Sequence, residues 1–287
     1  MSYHRGELKV QERAGRLRQA GSALRGIRQA VPEVASDFLA AQPMIVVGAA
    51  DGAGRMWASL VTGAPGFLRT PDPRTLVVDT LPLPDDPLAE ALAGPAEVGM
   101  IAIEPATRRR MRVNGHSTPT GQGFRVDIDQ AISNCPKYLQ LRTPAVPAAE
   151  ARPVASTGLA LTGDQQEQIR LADTFFVATA TSGGDADASH RGGNPGFVEV
   201  VSPTRLRWPD YLGNSMFLTL GNLAVHPAAG LLVPGWDTGS TLQLTGTART
   251  VWDPEQRFVE FEVEAVHETR HATRLRWSAP EYSRFNP

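Results

Sequence analysis

The chain has 287 residues, of which 41% are hydrophobic and 20% are charged, a composition typical of globular proteins. Its formal net charge of −2 argues against a general nucleic-acid binder. No apolar run is long enough to span a bilayer and the first residues lack the apolar stretch of a signal peptide, so we expect a cytoplasmic location. With Cys135 as the single cysteine, no intrachain disulfide can form.

A helical repeat of apolar residues at the start of the chain predicts one amphipathic helix over residues 5–30. The residues on its apolar stripe are Val10, Ala14, Leu17, Leu24 and Ile27. Pro32 then ends this helix or begins a short successor, because proline is tolerated in the first turn of a helix and not in its interior.

Strand signals separated by Gly and Pro clusters follow in the first half. The predicted strands are 44–47, 58–61, 75–78, 98–103 and 110–113, with a short Ala/Leu helix at 87–94. Residues 143–160 are rich in Pro and Ala, and we expect them to form a linker or a draped connection.

The same order returns in the second half, beginning with a short helix over 164–171. The predicted strands are 175–178, 196–200, 205–208, 230–233, 241–244 and 259–265. The last of these alternates strictly, which places Val259, Phe261 and Val263 on one face and three glutamates on the other.

The two halves also match residue by residue. Gly63-Ala64-Pro65-Gly66-Phe67 returns 130 positions later as Gly193-Asn194-Pro195-Gly196-Phe197. Further pairs in nearly the same register are Ser59 with Ser189, Gly99 with Gly230, and Asn114-Gly115 with Thr245-Gly246. The steady offset predicts one structural unit used twice, and many short strands with few helices predict a closed antiparallel barrel in each half. Two such units can pair and leave a ligand crevice between them.

Three ordered segments of the second half resemble the pyridoxamine 5′-phosphate oxidase-like, FMN-binding split-barrel family, and its tandem members most of all. They are 187–197 (DASHRGGNPGF), 211–222 (YLGNSMFLTLGN) and 242–246 (LQLTG), and the segment 134–138 (NCPKY) is similar as well. The resemblance implies an all-β fold with minor helices, in which two tandem FMN-binding-type split β-barrels form an intrachain pseudo-dimer behind an N-terminal helix. The predicted domains are a helical extension (1–35), a first module with a degenerate site (36–150) and a second module with the main flavin motifs (151–287).

The resemblance implies FMN as the cofactor, and the residue types suit its phosphate, which prefers guanidinium, hydroxyl and backbone N–H donors. The candidate cofactor-binding residues of the second half are Ser189, His190, Arg191, Gly193, Asn194, Asn214, Ser215, Met216, Thr219 and Asn222. In the family the flavin lies across the dimer seam, so Arg110, Arg112 and Lys137 of the first half are candidate contacts from the other module. Trp208 and Phe217 are candidate walls for the ring.

The implied function is an FMN-dependent oxidoreductase that acts on an unidentified small molecule and on a separate electron donor or acceptor. The resemblance also allows a homodimer. No side chain is assigned as a general base. Residues 214–217 contain no lysine, unlike the vitamin-processing oxidases, which puts true pyridoxamine phosphate oxidase activity in doubt. The first half has Ser59-Leu60-Val61 where the second has Ser189-His190-Arg191, which favours one competent site per chain. The alternatives are a non-catalytic flavin- or heme-binding protein and a deazaflavin-dependent reductase.

Three other patterns have plainer interpretations. His267-Glu268-Thr269-Arg270-His271 fits the H-E-x-x-H zinc pattern, but that site needs a helix, and the preceding alternation favours a hairpin turn without a metal. The arginine run at 108–112 fits a solvated edge strand and a ligand role equally well. Cys135 precedes a proline, and we interpret it as a buried or wall-lining residue rather than a nucleophile.

Overall fold

The structure, a computed structural model, describes residues 2–133, 136–254 and 256–287. Cys135, interpreted above as buried or wall-lining, lies outside the described residues. The helices are α1 Arg5–Arg13, α2 Leu17–Ala23, α3 Glu33–Ala40, α4 Ala89–Leu92, α5 Gly163–Leu171 and α6 Leu218–Leu223. In the part of the chain that is described, no helix has the length and apolar character needed to cross a bilayer.

The first-half strands are β1 Ile27–Arg28, β2 Met44–Ala50, β3 Met56–Thr62, β4 Leu68–Asp72, β5 Thr75–Val78, β6 Ala96–Glu104, β7 Arg109–Pro119 and β8 Phe124–Ser133. The second-half strands are β9 Val154–Gly158, β10 Thr174–Ala180, β11 Ala186–Gly192, β12 Glu199–Ser202, β13 Arg205–Pro209, β14 Ala228–Pro234, β15 Thr241–Trp252 and β16 Arg257–Arg270.

Within the described residues these strands form two eight-stranded antiparallel sheets of the same topology. The first has the order β3-β2-β6-β7-β8-β5-β4 with β1 added on β8, and the second has β11-β10-β14-β15-β16-β13-β12 with β9 added on β16. The helices repeat as well, since α3 precedes β2 as α5 precedes β10, and α4 precedes β6 as α6 precedes β14. The predicted all-β fold of two tandem split barrels with minor helices is therefore confirmed.

The matching Gly115 and Gly246 mark the same irregularity in both modules. The β7–β8 register shifts between Asn114 and Gly115, and the β15–β16 register shifts between Thr245 and Gly246. A Cβ atom on Gly115 would lie 2.0 Å from the Asp127 carbonyl oxygen, and one on Gly246 would lie 1.9 Å from that of Glu262. Each bulge therefore requires a residue without a side chain, which is why the duplication is visible in the sequence at this point.

The modules pack against each other through strands that are buried on both faces. On β2, Ile45 and Val47 enter the core of the first barrel, whereas Met44 and Val46 enter an apolar layer between the barrels. On β10 the neighbouring Phe176 enters the same layer. Double-sided burial explains why these strands are continuous apolar runs in the sequence instead of alternating ones.

Equivalent glycines let the two backbones approach at this layer. A Cβ atom on Gly99 of β6 would lie 2.4 Å from the Cα atom of Asp187, and one on Gly230 of β14 would lie 2.5 Å from the Cα atom of Trp57. Both contacts cross from one module to the other. The close approach fixes how the modules sit relative to each other, because neither backbone can retreat without opening the apolar layer.

The prediction of one helix over residues 5–30 was wrong. Gly15 has φ +65° and ends α1, and the Arg16 N–H then donates back to the Gln11 carbonyl over 2.8 Å. The chain turns there and continues as α2, which the Tyr3 hydroxyl fixes by donating to the Ala20 carbonyl over 2.8 Å. Apolar residues keep their helical spacing on both sides of Gly15, so the spacing alone did not reveal the turn.

Several strand predictions also need correction. β1, β4, β8 and β11 were missed, and β9 lies inside the predicted linker and pairs with β16. Residues 196–198 belong to a turn in which Gly196 has φ +89°, so β12 begins only at Glu199. The hairpin-turn interpretation of the H-E-x-x-H pattern was wrong for its first four residues, because β16 continues through Arg270 and only His271 has a left-handed φ of 57°.

Helix α1 is docked on α6 of the second module. Gly6 packs on Gly221 so closely that a Cβ atom on Gly6 would lie 2.2 Å from the Gly221 carbonyl oxygen, and Gln11 donates to the Met216 carbonyl over 3.0 Å. Docking buries Glu7, which is 5% exposed. Burial raises the pKa of Glu7 from 4.5 to about 7, and the charge of Asp187 adds to the effect.

We expect alanine at Gly99 or Gly230 to lower the free energy of unfolding by about 3 kcal/mol or more, because the new methyl group meets backbone of the other module. Urea unfolding followed by circular dichroism measures the loss. Gly21→Ala is the control, since no atom lies within 4 Å of the Cβ position there and the change favours the helix α2. Equal stability of Gly99→Ala and the parent protein would contradict the seam described here.

We expect Glu7→Gln to stabilise the protein at pH 8 by about 2 kcal/mol and to have little effect at pH 4. The pKa of Glu7 in the folded protein, about 7, lies above its value of 4.5 in the unfolded chain, so charging this group weakens folding as the pH rises between the two. Urea unfolding at both pH values measures the difference. Glu12→Gln, an exposed change on the same helix, should show no such pH dependence.

Candidate functional site

A cavity of about 350 Å³ opens at the seam between the modules. The first module lines it with Arg110, Arg112, Lys137 and Tyr138. The second module lines it with His190, Arg191, Gly192, Phe197, Pro209, Asp210, Tyr211, Gly213, Asn214, Ser215, Phe217, Leu218, Thr219 and Leu220. The crevice expected between two like modules is therefore present beside β11, and its volume is in the range of small-molecule sites.

Strand alternation decides which arginines of the 108–112 run reach the cavity. Arg110 and Arg112 share one face of β7 and cross the seam. The Arg110 Nη1 atom lies 2.8 Å from His190 Nδ1, and Arg112 Nη1 lies 3.1 Å from Asp187 Oδ2. Arg109, on the other face, forms an ion pair with Glu104 at 2.7 Å. The edge-strand interpretation of the run was wrong, because β7 lies between β6 and β8 in its sheet. Two of its arginines face the cavity, and Arg109 is exposed on the other face.

Arg191 extends from β11 and is held at its own base. Its Nη1 atom donates to Ser189 Oγ over 2.8 Å and to the His190 carbonyl over 3.1 Å. Ser189 Oγ also lies 3.0 Å from Thr219 Oγ1, which connects β11 to α6. Burial lowers the pKa of Arg191, but a guanidinium stays protonated in proteins, so the cavity contains a fixed positive charge here.

His190 is neutral in this environment. Burial holds its pKa well below 6.5, and the charges of Arg110, Arg191 and Arg112 lower it further. Because Nδ1 faces the Arg110 guanidinium it acts as an acceptor, and the ring proton belongs on Nε2. Nε2 is buried without a hydrogen-bond partner among the described residues. His190 therefore offers a donor and not a positive charge.

The cavity has more positive than negative side chains. The described lining residues include four cations, namely Arg110, Arg112, Lys137 and Arg191, and one carboxylate, Asp210. Asp210 is already paired with Arg257 at 3.0 Å, and the nearby Asp187 is paired with Arg112. An excess of cations in a partly buried space favours an anionic ligand.

Eight of the thirteen residues predicted to bind a cofactor line this cavity, and the other five lie around it. Ser189 is fully buried behind Arg191. Gly193 donates to the Asp173 carbonyl, and Asn194 donates to the Pro287 carbonyl over 2.9 Å, so this turn contacts the C-terminal residues instead. Met216 packs with Ile27, Ile132 and Leu218. Asn222 faces His4, whose Nε2 atom lies 3.1 Å from Asn222 Oδ1.

Aromatic residues around the cavity differ from those expected. Trp208 lies in the core of the second barrel at 1% exposure, whereas Phe217 does line the cavity. The rings of Tyr138 and Tyr211 come from different modules and lie 5.2 Å apart. Both tyrosines belong to segments that resemble the split-barrel family, so the resemblance could have identified them as candidates. The contact between their rings across the seam could not be predicted from the sequence.

The loop before α6 is under backbone strain. Ser215 and Phe217 both have left-handed φ angles, of 63° and 60°, although neither is glycine. Asn214 stabilises the loop by accepting the Met216 N–H over 3.1 Å. Such conformations cost free energy and persist where the surroundings enforce them, often at binding sites.

The equivalent position in the first module is filled by protein. Thr241 and Gln243 stand on β15 where Arg110 and Arg112 stand on β7, 131 positions earlier. Gln243 Nε2 donates to Ser59 Oγ over 2.9 Å and to Asp86 Oδ2 over 3.1 Å, and Ser59 Oγ donates to Asp86 Oδ1 over 2.5 Å. The Ser59 hydroxyl is therefore bound to the buried Asp86 carboxylate, whereas the equivalent Ser189 hydroxyl of the second module accepts a hydrogen bond from Arg191. No cation joins these contacts among the described residues, and an anionic ligand would meet a carboxylate.

The sequence of the second half matches a known family. Residues 161–280, less than half of the chain, match the family model described as pyridoxamine 5′-phosphate oxidase. This match confirms, for those residues, the family resemblance drawn from the sequence. No curated protein matches the chain.

Solved structures similar to this chain each correspond to about one module. HupZ from Group A Streptococcus is 12% identical, with 36% of this chain and 90% of that chain covered and a TM-score of 0.31. The FAD binding protein from Mycobacterium smegmatis is 12% identical, with 40% and 98% covered and a TM-score of 0.28. An FMN-binding protein from Syntrophomonas wolfei is 8% identical, with 36% and 84% covered and a TM-score of 0.29. These similarities are too low to decide function.

We expect Arg110→Ala to raise the pKa of His190, because a positive charge next to Nδ1 is removed. Burial is the larger cause of the lowered pKa, so the value should stay below 6.5. An NMR titration of the histidine ring nitrogens measures it. The matched control is Arg109→Ala, since Arg109 pairs with Glu104 away from the cavity, and an unchanged His190 pKa in Arg110→Ala would contradict the contact.

Proposed function

We propose that the chain binds FMN in the seam cavity and works as an FMN-dependent oxidoreductase on a small molecule, with a separate electron donor or acceptor. The observation that carries the proposal is the set of four cationic side chains, drawn from both modules, around one cavity with a single, already paired carboxylate among its described lining residues. A phosphate dianion is the ligand group that such a set neutralises best. The match of residues 161–280 to the pyridoxamine 5′-phosphate oxidase model supports the same conclusion.

The residues fit the two ends of the ligand. Arg191 and Thr219 would hold the phosphate from the second module, with Arg110 and Lys137 reaching it from the first. Aromatic and apolar side chains on the same cavity would hold the flat ring; they are Tyr138, Phe197, Tyr211, Phe217 and Leu218. When bound, FMN supplies hydride or single-electron transfer.

The protein itself would bind the cofactor, orient it and tune its reactivity. His190 is neutral, so the positive groups that would stabilise a reduced, anionic flavin are the arginines. The first module would serve as a partner and not as a second site, because Asp86 occupies its equivalent position. We further propose 36–150 and 151–287 as the limits of the modules and a cytoplasmic location for the protein.

The spectrum of the purified protein tests the proposal. A yellow protein that releases one equivalent of FMN on denaturation supports it, and turnover with reduced nicotinamide then separates an enzyme from a carrier. A Soret band would instead indicate heme, and a colourless protein that binds a deazaflavin would indicate a different phosphorylated cofactor. Either of these two results would overturn the assignment of FMN.

We expect Arg191→Ala to weaken FMN binding by about 30-fold or more, because truncating one partner of a buried charged pair costs at least about 2 kcal/mol. Quenching of FMN fluorescence during titration of the apoprotein measures the affinity. Arg205→Ala is the control, since Arg205 lies outside the cavity and pairs with Glu262. Stoichiometric FMN in purified Arg191→Ala, with unchanged affinity, would refute the phosphate contact.

A further inference from the structure

The seam cavity contains one side chain whose charge opposes an anionic ligand. Asp210 is the single carboxylate among the described lining residues, and it follows directly after β13. Its side chain is 12% exposed, so the carboxylate belongs to the wall of the cavity and not to the barrel core. A negative charge in a partly buried wall acts strongly on a bound anion unless a cation neutralises it.

The cation that neutralises Asp210 comes from outside the cavity lining. The Nε and Nη2 atoms of Arg257 each lie 3.0 Å from Asp210 Oδ2, and this is the one ion pair that Asp210 forms among the described residues. The backbones are joined as well, since the Asp210 N–H donates to the Arg257 carbonyl over 2.9 Å. Arg257 is the first residue of β16, next to β13 in the sheet, so the sheet itself places the two side chains together.

Two aromatic rings fix the Arg257 side chain in this position. Its guanidinium carbon lies 5.2 Å from the centre of the Phe217 ring and 5.7 Å from that of Trp252, the residue paired with Arg257 across the β15–β16 hairpin. The Trp252 ring also contacts Arg13 of α1, at 4.6 Å. A guanidinium that packs on aromatic rings keeps its N–H groups in a fixed plane for a carboxylate. The ion pair with Asp210 is therefore held in place before any ligand binds.

Arg191 is the alternative cation for Asp210. It lines the same cavity and forms no ion pair among the described residues, because its Nη1 atom donates to Ser189 and to the His190 carbonyl. Burial lowers the pKa of Arg191, and of the charged groups around it Asp210 acts most strongly and in the opposite direction. The two side chains are thus close enough to interact, although Asp210 is paired elsewhere.

We propose that Arg257 is a positioning residue, which holds the Asp210 carboxylate so that Arg191 stays available to the anionic ligand of the seam cavity. Without the charge of Arg257, Asp210 would remain as a partly buried, unpaired carboxylate, which costs free energy unless another cation joins it. Arg191 would then pair with Asp210 and lose its positive charge as a ligand contact. The role of Arg257 rests on the proposed function for the identity of the anion, FMN, whereas the competition of two arginines for Asp210 is a property of the protein alone.

Arg257→Met tests the proposal, because methionine keeps apolar bulk against both rings and removes the charge. We expect it to weaken FMN binding about tenfold, measured by quenching of FMN fluorescence, and we expect Asp210→Asn added to it to restore the affinity to within about threefold. A role of Arg257 in packing alone would give no such rescue. The matched control is Arg249→Met, since Arg249 pairs with Glu260 on the same hairpin outside the cavity, and its affinity should stay within about twofold of the parent. Unchanged affinity in Arg257→Met, or no rescue by Asp210→Asn, would overturn the proposal.

A second measurement needs no cofactor. A double-mutant cycle of Arg191→Ala and Asp210→Asn, followed by urea unfolding of the apoprotein, gives the coupling between these two residues. In the Arg257→Met background we expect this coupling to exceed that in the parent by about tenfold in the unfolding equilibrium constant, or about 1.4 kcal/mol. Equal coupling in both backgrounds would overturn the proposal. A parent protein that binds no FMN would instead refute the proposed function, and the cycle would still decide the role of Arg257. If Arg257→Met does not fold, Arg257→Gln replaces it with the same expected results.

Discussion

The close approach of two backbones at the seam is the constraint on which the rest of the structure depends. Gly99 meets the backbone at Asp187 and Gly230 meets the backbone at Trp57, at distances that leave no room for a side chain. The approach sets β7 of one module against β11 of the other. Arg110 and Arg112 consequently reach side chains of the second module, and the candidate site is built from both halves of one chain.

The two modules of the repeat differ at the equivalent position beside the seam. Ser59 and Ser189 occupy equivalent positions, yet the first meets the Asp86 carboxylate and the second meets the Arg191 guanidinium. The opposite strand differs as well, since β15 has Thr241 and Gln243 at the positions where β7 has Arg110 and Arg112. An intrachain pair allows this specialisation, because each module can change without changing its partner, whereas the two sites of an identical dimer must change together.

The N-terminal helices add a second level of organisation. Helix α1 holds the strained loop before α6 through the contact of Gln11 with the Met216 carbonyl, and it brings Glu7 beside Asp187. As a result two spaces of opposite charge lie on either side of the Arg112–Asp187 ion pair: the cationic seam cavity and a second, acidic cavity of about 240 Å³ lined by Glu7 and Asp187. The pair itself adds little net charge to either cavity, since opposite charges at about 3 Å largely cancel at longer range.

The sequence determined the features that depend on local pattern. The repeat, the all-β class and most strands followed from spacing and β-rich runs, and the segments 187–197 and 211–222 identified most of the cavity's second-module side. The break at Gly15 and the strands β1, β4, β8 and β11 were not predicted. A positive φ leaves no mark on apolar spacing, and β11 contains no large apolar residue. β8 does alternate apolar and polar residues from Phe124 to Asp129, a strand signal that the prediction missed.

Only the tertiary structure decided which of the predicted residues meet. Asn194 and Asn222 share segments with Arg191 and Thr219 but turn to the C-terminal residues and to the N-terminal helix. Tyr138 and Asp187 lie far apart from their partners in sequence and acquire their roles by pairing across the seam. Such contacts depend on how two complete modules pack, and packing is set by the summed shape of many side chains, which no local pattern contains.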